Sequence, residues 1–337
     1  MSRTPTVALR SFSMQSGTQT GEKQAALPTG ADIGTILCNS DLDGTAPLTR
    51  QRFNSDFTLV SGTLPGPGGS GTVATAFSLA DGRAVERRSD GGAGSPSKES
   101  TPSKESAPTF QAGTSNLWYQ TAAGRLASRD LAQPAAVPVD HGISPSPEFV
   151  LAGDKPVRYP SGVDARRVAA NPAGTVAAGF SYPSPVLWHT DDSANSGGNS
   201  LDQPLYLDHI DHNKHDGEER QVTEIPGASS NLLGCVPRLW INARSLLCTN
   251  ELHFYRISFK ADYSRITEVA KLLPESPKIR DAVLSPDGKA LAYLKAEGPT
   301  VDLYRVSLAE DAKPVEVGPL PTNTGGIGDI VHLVAWQ

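Results

Sequence analysis

A strand–turn–strand pattern recurs along the second half of this 337-residue chain and constrains its fold more than any other feature. The segment LSPDGKALAYL (284–294) is followed by YRVSL (304–308), and LWINARSLLCT (239–249), followed by YRISF (255–259), matches this pair. A third copy, AANPAGTVAAGFS (169–181), places its proline and glycine at the same turn positions. Self-similarity at roughly 40 to 50 residues, carried by strand-like segments, predicts a stack of repeated β-sheet units.

The best-defined unit runs from residue 281 to residue 320 and reads as four short strands. DAVLS, ALAYLKA, VDLYRVSL and KPVEVGPL are apolar or alternating segments, and a Pro-Asp-Gly turn separates the first two. Proline presets one backbone dihedral, aspartate bonds its own backbone and glycine accepts positive φ, so this tripeptide favours a tight turn. Four strands per unit are typical of a β-propeller blade. The 32 glycines and 27 prolines suit many short strands, and the length predicts about six blades, with five or seven as alternatives.

The unit resembles the repeats of the TolB-like branch of the WD-repeat β-propellers. The matching segments are LSPDG (284–288), LYRV (303–306) and VAWQ (334–337), together with LYLDH (205–209) and RQVTEI (220–225) in a middle blade. The resemblance covers about residues 165 to 337. It implies an all-β propeller of four-stranded blades, and members of this family are often exported.

The two ends of the chain bear on ring closure and domain organisation. DIVHLVAWQ (329–337) is a strand without blade partners of its own, so we expect it to pair with an N-terminal strand at 6–12 or 34–40 and to close the ring. The polar residues 1–30 are predicted to be a flexible tether. Residues 31–337 are predicted to form a single propeller domain.

Two insertions interrupt the blades. The segment 89–108 carries the tandem hexamers SPSKES and TPSKES and almost no apolar residue, which predicts a disordered loop. The segment 208–220 predicts a long hairpin between two strands of one blade.

Histidine and carboxylate side chains alternate in the second insertion, DHIDHNKHDGEE (208–219). His209, His212, His215 and Asp216 are the candidate ligands of a divalent metal, because imidazole and carboxylate together suit zinc or a similar transition metal. A spacing of three on a strand sends successive side chains to opposite faces, so the site requires a turn. The alternative is a solvated hairpin without metal, and no other cofactor is indicated.

Several classes of function lack their sequence signals. The net charge is −6 and the 30 basic residues are scattered, which excludes a nucleic-acid surface. No apolar run approaches the roughly 18 residues of a membrane helix, so we expect no membrane insertion. The glycine-rich segment near Gly66 has Thr72 where a phosphate loop needs lysine, and no Gly-x-Ser-x-Gly elbow occurs.

The compartment stays open at this point. The absence of a recognisable signal peptide favours the cytoplasm, and the alternative is an exported or anchored protein without its leader. Cys38, Cys235 and Cys248 are odd in number, which argues against a disulfide framework. A Cys235–Cys248 bridge is conceivable in the hairpin register, but buried free thiols are the favoured interpretation.

Two function classes follow from these patterns. The first is a non-enzymatic scaffold that presents its loops to a protein partner, within a larger or envelope-associated assembly. The second is a propeller hydrolase or lyase with a channel-centred site, with or without a metal. Fold alone does not choose between them, and no small-molecule ligand is indicated.

Overall fold

The structure is a computed structural model, and it describes most of the chain with several gaps. The described residues are 5–33, 50–66, 69, 71–85, 104–133, 136–144, 149–157, 163, 167–181, 184–190, 205–206, 214–215, 218–219, 235–249, 254–263, 266–273, 279–297, 300–309, 312–320 and 333–337. Within these residues, the regular secondary structure consists of antiparallel β-sheets, so the all-β prediction is confirmed. No helix in this part of the chain is long and apolar enough to cross a membrane.

The chain divides into two compact units, whereas the sequence predicted one domain over 31–337. Unit 1 comprises Met1–Ser13, Thr18–Asn39 and Leu48–Phe149. Unit 2 comprises Met14–Gly17, Ser40–Pro47 and Val150–Gln337. The repeats that dominate the sequence lie in unit 2.

Unit 1 contains two hairpins and one four-stranded sheet. Its strands are β1 (Thr6–Phe12), β2 (Gln19–Ala26), β3 (Leu59–Pro65), β4 (Thr72–Ser78), β5 (Ser106–Phe110), β6 (Asn116–Gln120), β7 (Arg125–Asp130) and β8 (Val139–Ile143). The hairpins are β1–β2 and β3–β4, and the sheet has the order β5-β6-β7-β8. This order is an antiparallel meander, which is the arrangement of a propeller blade.

The N-terminal hairpin corrects the predicted tether. β1 and β2 pair in register from Thr6↔Ala26 to Ser11↔Gly21. Ala25 and Leu27 are buried next to this pairing, and the Leu27 amide donates to the Pro5 carbonyl. Polar composition suggested a tether, but alternate small apolar residues give this hairpin a face to bury.

The predicted disordered loop also ends earlier than expected. Residues 89–103 lie outside the described part of the chain. Lys104 forms a bridge with Thr72, buried Glu105 accepts a hydrogen bond from the Ala74 amide at 2.9 Å, and β5 begins at Ser106. Residues 104–108 are therefore ordered, because the neighbouring strand β4 supplies partners that composition cannot reveal.

Unit 2 contains three four-stranded sheets and two short hairpins. Its strands are β9 (Leu151–Ala152), β10 (Lys155–Pro156), β11 (Ala169–Ala170), β12 (Val176–Ser181), β13 (Ser184–His189), β14 (Leu205–Tyr206), β15 (Lys214–His215), β16 (Glu218–Glu219), β17 (Val236–Asn242), β18 (Ser245–Thr249), β19 (Phe254–Phe259), β20 (Ile266–Lys271), β21 (Ile279–Leu284), β22 (Ala290–Glu297), β23 (Thr300–Ser307) and β24 (Val315–Leu320). The sheets are β11–β14, β17–β20 and β21–β24, each in chain order. The four strands predicted for 281–320 are confirmed as β21–β24.

The repeated turn uses one hydrogen-bonding pattern in different copies. Ser285 Oγ accepts from the amides of Lys289 and Ala290 at 3.2 and 2.9 Å. At the same repeat position, Asn171 Oδ1 accepts from the amides four and five residues further on, at 2.9 and 3.2 Å. Such short polar side chains replace missing backbone partners in turns.

Glycine occupies the fourth position of this turn for a steric reason. Gly174 and Gly288 have φ of 68° and 69°, which residues with a Cβ rarely adopt. Unit 1 has a related turn, in which Asn54 Oδ1 accepts from the Leu59 amide at 2.8 Å. There Phe57 holds the fourth position at φ 54°.

The sheets of unit 2 bury apolar faces against one another. One cluster joins β11–β13 to β17–β20 around Trp240, whose Nε1 donates to the Ala169 carbonyl at 2.8 Å. A second cluster joins β17–β19 to β21–β23 through Leu247, Leu291 and Tyr293. Continuous packing of this kind from sheet to sheet is how repeat units without separate cores become stable.

A disulfide corrects the favoured interpretation of the cysteines. Cys235 and Cys248 are bonded, with their Cα atoms 5.7 Å apart and both residues fully buried. The predicted register is confirmed, because Pro237 pairs with Cys248 and leaves Cys235 diagonal to it. Cys38, the third cysteine, lies outside the described residues.

Ring closure and blade number remain predictions. β1 pairs with β2, and residues 333–337 contain no strand. The Leu333 amide donates to the Asp281 carboxylate at 2.9 Å, which places this segment beside the first strand of the β21–β24 sheet. Residues 34–40 and 329–332 lie outside the described residues.

Candidate functional site

An open cleft lies where the β17–β20 sheet meets the β21–β24 sheet, and we call it the interblade cleft. Its volume is about 510 Å³. The β17–β18 hairpin, β19 and β20 form one wall, and the β21–β22 turn and the end of β23 form the other. Its lining residues are Ile241, Asn242, Ser245, Arg256, Ser258, Glu268, Gly288, Lys289, Ser307, Leu308 and Ala309.

Arg256 is the central charged group of the interblade cleft. It lies in the middle of β19, where Leu247 and Ala270 flank it on the neighbouring strands. Its Nη2 donates to Glu268 Oε1 at 3.1 Å, and its Nη1 donates to the Leu308 carbonyl at 3.4 Å. Its Nε is buried without a hydrogen-bond partner. Because Nε is buried and the side chain is 28% exposed, the donors that a ligand could reach are those of the two Nη atoms.

Hydroxyl groups surround this ion pair. Ser258 Oγ donates to Glu268 Oε2 at 3.3 Å and lies 3.4 Å from Ser245 Oγ. Ser307 Oγ accepts a hydrogen bond from the Ala309 amide at 3.2 Å. Each hydroxyl can donate one hydrogen bond and accept two, so the walls present both kinds of group to a polar ligand.

A second hollow of about 440 Å³ adjoins the first across the β17–β18 hairpin. It shares Asn242, Ser245 and Ser258 with the interblade cleft and adds Arg244 and Phe259. The Arg244 amide donates to Asn242 Oδ1 at 2.8 Å, which fixes the tip of the hairpin. The two hollows form one continuous surface over the hairpin.

Lys289 lines the interblade cleft with Arg256, and Arg244 lines the adjoining hollow. Among the described residues, no carboxylate lies within salt-bridge distance of Lys289 or Arg244. Asp287 lies on the same turn as Lys289, but its carboxylate accepts from Ser285 Oγ at 2.6 Å and from the Lys289 amide at 3.1 Å. The hydrogen bond from Ser285 is the main reason that the pKa of Asp287 is lowered, with the Lys289 charge as a smaller cause.

The frame of the interblade cleft is well packed. Leu247 on β18 and Leu291 on β22 are fully buried in one apolar cluster, against which Ile241 and Leu308 of the cleft lining pack. Tyr293 and Tyr304 stack with ring centroids 5.3 Å apart, and burial raises the pKa of Tyr293 to about 12. Packed strands hold the polar walls in place more precisely than loops could.

The predicted metal ligands are not tested by these contacts. His209, His212 and Asp216 lie outside the described residues. His215 lies in β15 and pairs with Glu218 of β16, whereas most of the long hairpin predicted for 208–220 lies outside the described residues. Elsewhere in the described part of the chain, no group of three or more histidine, cysteine or carboxylate side chains could hold a metal ion. The metal site stays a prediction.

Sequence reasoning missed the interblade cleft, although the repeat carried a signal. Arg256 and Arg305 occupy the same position in YRISF and YRVSL, where alternation alone expects any polar residue. An arginine in two copies of a third strand could have drawn attention to this face. What the repeat could not show is that Glu268 and Lys289 come near only one of them.

A second polar cluster lies in unit 1. Ser128 Oγ and His141 Nε2 are 2.8 Å apart, and the imidazole stacks on Trp118 with ring centroids separated by 3.8 Å. Partial burial lowers the pKa of His141, against the opposing attraction of Asp140. The neutral imidazole is thus favoured, which is the form that a general base needs.

Some solved structures show a distant similarity to this chain. No protein-family model matches the chain, and no curated protein matches it. Solved structures similar to it include TolB from Acinetobacter baumannii, with 11% identity, a TM-score of 0.38 and coverage of 80% of this chain and 55% of that one. A putative TolB from Agrobacterium tumefaciens has 16% identity, a TM-score of 0.33 and coverage of 67% and 61%. The β-propeller domain of Myceliophteria thermophila Cps50 (Swd1) has 12% identity, a TM-score of 0.36 and coverage of 81% and 72%.

These matches accord with the resemblance to TolB-like and WD-repeat propellers predicted from the sequence. The chain spans about 55% and 61% of the lengths of the two TolB structures. TM-scores below 0.5 support no conclusion about function. The propeller interpretation therefore rests on the four-stranded meanders of this chain itself.

Proposed function

We propose that this chain is a non-enzymatic β-propeller module that binds a protein partner at the interblade cleft and acts within a larger assembly. The observation that carries the proposal is the cleft itself, in which an incompletely satisfied arginine stands among hydroxyl groups on a packed frame. Arginine in a partly desolvated position is typical of the residues that dominate protein interfaces.

The position of the interblade cleft supports this function. One wall includes strands β19 and β20, and the other includes the β21–β22 turn and the end of β23. The apolar cluster of Leu247 and Leu291 keeps the walls in place, so binding needs little ordering of the protein.

A steric block tests the proposal. Ala309 is exposed at the rim of the interblade cleft, so Ala309→Trp should fill its mouth without disturbing the core. Ala123, exposed in the β6–β7 turn, provides the matched control Ala123→Trp. We expect the tagged wild-type chain and the control to retain a stoichiometric partner from the native source at moderate salt, and Ala309→Trp to lose it. Equal capture by all three, with equal melting temperatures, would contradict the proposal.

A second candidate function is a hydrolase, which the Ser128–His141 pair favours. A hydroxyl 2.8 Å from a neutral imidazole is the beginning of an activated nucleophile. The pair lies on the adjacent strands β7 and β8. Labelling by a fluorophosphonate probe that is lost in both Ser128→Ala and His141→Gln would support the hydrolase. A chain that the probe leaves unlabelled would exclude this pair as its site.

A further inference from the structure

We infer that the interblade cleft recognises a carboxylate-rich segment of the partner, with Arg256 as the anchor and Lys289 and Arg244 as flanking cations. This inference rests on the proposed partner-binding function and adds the chemistry of the ligand. It begins from the hydrogen bonds that the two Nη atoms of Arg256 make within the protein.

The guanidinium of Arg256 carries five N–H donors in a planar fork, which matches a carboxylate. Its two printed bonds go to Glu268 and to the Leu308 carbonyl, and the second is long at 3.4 Å. The side chain of Glu268 is half exposed, so water competes for its oxygens. A ligand carboxylate can therefore replace Glu268 as the acceptor of the hydrogen bond from Arg256 Nη2.

The flanking cations indicate a ligand with several carboxylates rather than a single small anion. Lys289 lies in the interblade cleft and Arg244 in the adjoining hollow, on either side of the β17–β18 hairpin. Neither forms an ion pair with another described residue, so each can bind an incoming carboxylate without breaking an existing contact. Because these cations line two adjoining hollows, we expect an extended acidic peptide to contact more of them than a single small anion would.

The local charge also departs from that of the chain. The whole chain carries a net charge of −6, yet Arg256 and Lys289 line the interblade cleft and Arg244 lines the adjoining hollow. Two carboxylates oppose them, and both are engaged: Asp287 with its own turn, and Glu268 with Arg256 and Ser258. Glu268 is thus the internal competitor of the ligand. Its neutralisation should strengthen binding.

Fluorescence anisotropy with a labelled hexaglutamate peptide tests the inference, and hexaglutamine is the uncharged control probe. The full chain should bind hexaglutamate measurably more tightly, and 0.5 M NaCl should weaken the complex because such contacts are screened. We expect Arg256→Gln to weaken binding about tenfold, and Lys289→Gln and Arg244→Gln about twofold to fivefold each. Glu268→Gln should strengthen it about threefold, a gain that misfolding would not produce.

Arg83→Gln is the matched control, since Arg83 is an exposed arginine in unit 1, and it should leave the affinity unchanged. Arg256→Lys keeps the charge and removes the fork, so an intermediate loss is expected if Arg256→Gln fails to fold. Equal binding of the two peptides, or wild-type affinity in the Lys289→Gln and Arg244→Gln variants, would overturn the inference. The inference would also be overturned if inorganic phosphate displaced the labelled peptide at the same concentrations as unlabelled hexaglutamate does.

The outcome is separable from that of the partner-binding function. A partner lost in Ala309→Trp, together with no preference for hexaglutamate, would refute the acidic ligand and leave the function standing. If Ala309→Trp retained the partner and the chain also showed no preference for hexaglutamate, the proposed partner-binding function would itself be contradicted.

Discussion

The turn that opens the β11–β14 sheet provides the sharpest test of how the repeats are held together. Asn171 is only 4% exposed, and its amide side chain makes four hydrogen bonds. Two are the capping bonds from the amides of Thr175 and Val176. In the other two, Nδ2 donates to the Tyr263 hydroxyl at 3.1 Å and to Thr175 Oγ1 at 3.2 Å.

The cost of Asn171→Ala follows from these contacts. A hydrogen bond contributes roughly 1 kcal/mol net, and a buried donor left without a partner costs about 1–3 kcal/mol. The Val176 amide becomes such a donor, because Val176 is almost fully buried. We therefore expect the free energy of unfolding to fall by about 3 kcal/mol. With a urea m-value of about 2 kcal/mol/M, the unfolding midpoint should fall by about 1.5 M.

Asn171→Ser separates the two halves of this effect. Serine caps the equivalent turn through Ser285 Oγ, so it should keep the two backbone bonds and lose the contact to Tyr263. The expected loss is about half of that for alanine. A double-mutant cycle with Tyr263→Phe should then show a coupling of about 0.5–1.5 kcal/mol with Asn171→Ala.

Urea unfolding followed by tryptophan fluorescence measures these differences, because Trp188 and Trp240 lie in the affected sheets. The reasoning is refuted if Asn171→Ala shifts the midpoint by less than about 0.3 M. It is also refuted if serine costs as much as alanine, because the side-chain oxygen would then not be the capping group.

Three further predictions concern single features. Gly288→Ala should lower the free energy of unfolding by about 1–2 kcal/mol because the φ of Gly288 is +69°. Gly21→Ala is the control and should not lower it, since the added Cβ meets nothing closer than 3.9 Å. The midpoints of urea unfolding of the two variants and the wild type test this difference. Reduction of the Cys235–Cys248 disulfide, which spans 13 residues, should lower the free energy of unfolding by about 3 kcal/mol. The urea midpoint should therefore be lower with reductant than without it. Equal midpoints, together with thiols that can be alkylated without reductant, would contradict the bond. The pKa of His141 is lowered in the folded state by burial, so its contribution to stability is present above about pH 6.5 and is lost as the pH falls through the folded-state value. The melting temperature should accordingly fall more between pH 7.5 and 5 in the wild type than in His141→Phe, and parallel curves would refute this.

The sequence predicted local structure well where one short segment contained the whole signal. The turn at Ser285–Gly288 and the alternation of β22 and β23 were readable, because a turn depends on the φ preference of its own residues and a strand on its own period of two. The register that sets Pro237 opposite Cys248 followed in the same way from hairpin geometry. Polar composition misled at residues 1–30, where β1 and β2 form a hairpin, and at residues 104–108, which contact Thr72 and Ala74 about 30 residues earlier in the chain.

The sequence by itself thus determined the all-β class and the repeated four-stranded unit. Only the tertiary structure decided the division into two units, the bonding of the two cysteines, and the meeting of Arg256, Glu268 and Lys289 in one cleft. Arg256 and the Leu308 carbonyl are 52 residues apart, and Asn171 and the Tyr263 hydroxyl are 92 apart. Such pairs form because neighbouring sheets pack face to face, and the twist and spacing of packed sheets leave no periodic trace in either segment alone.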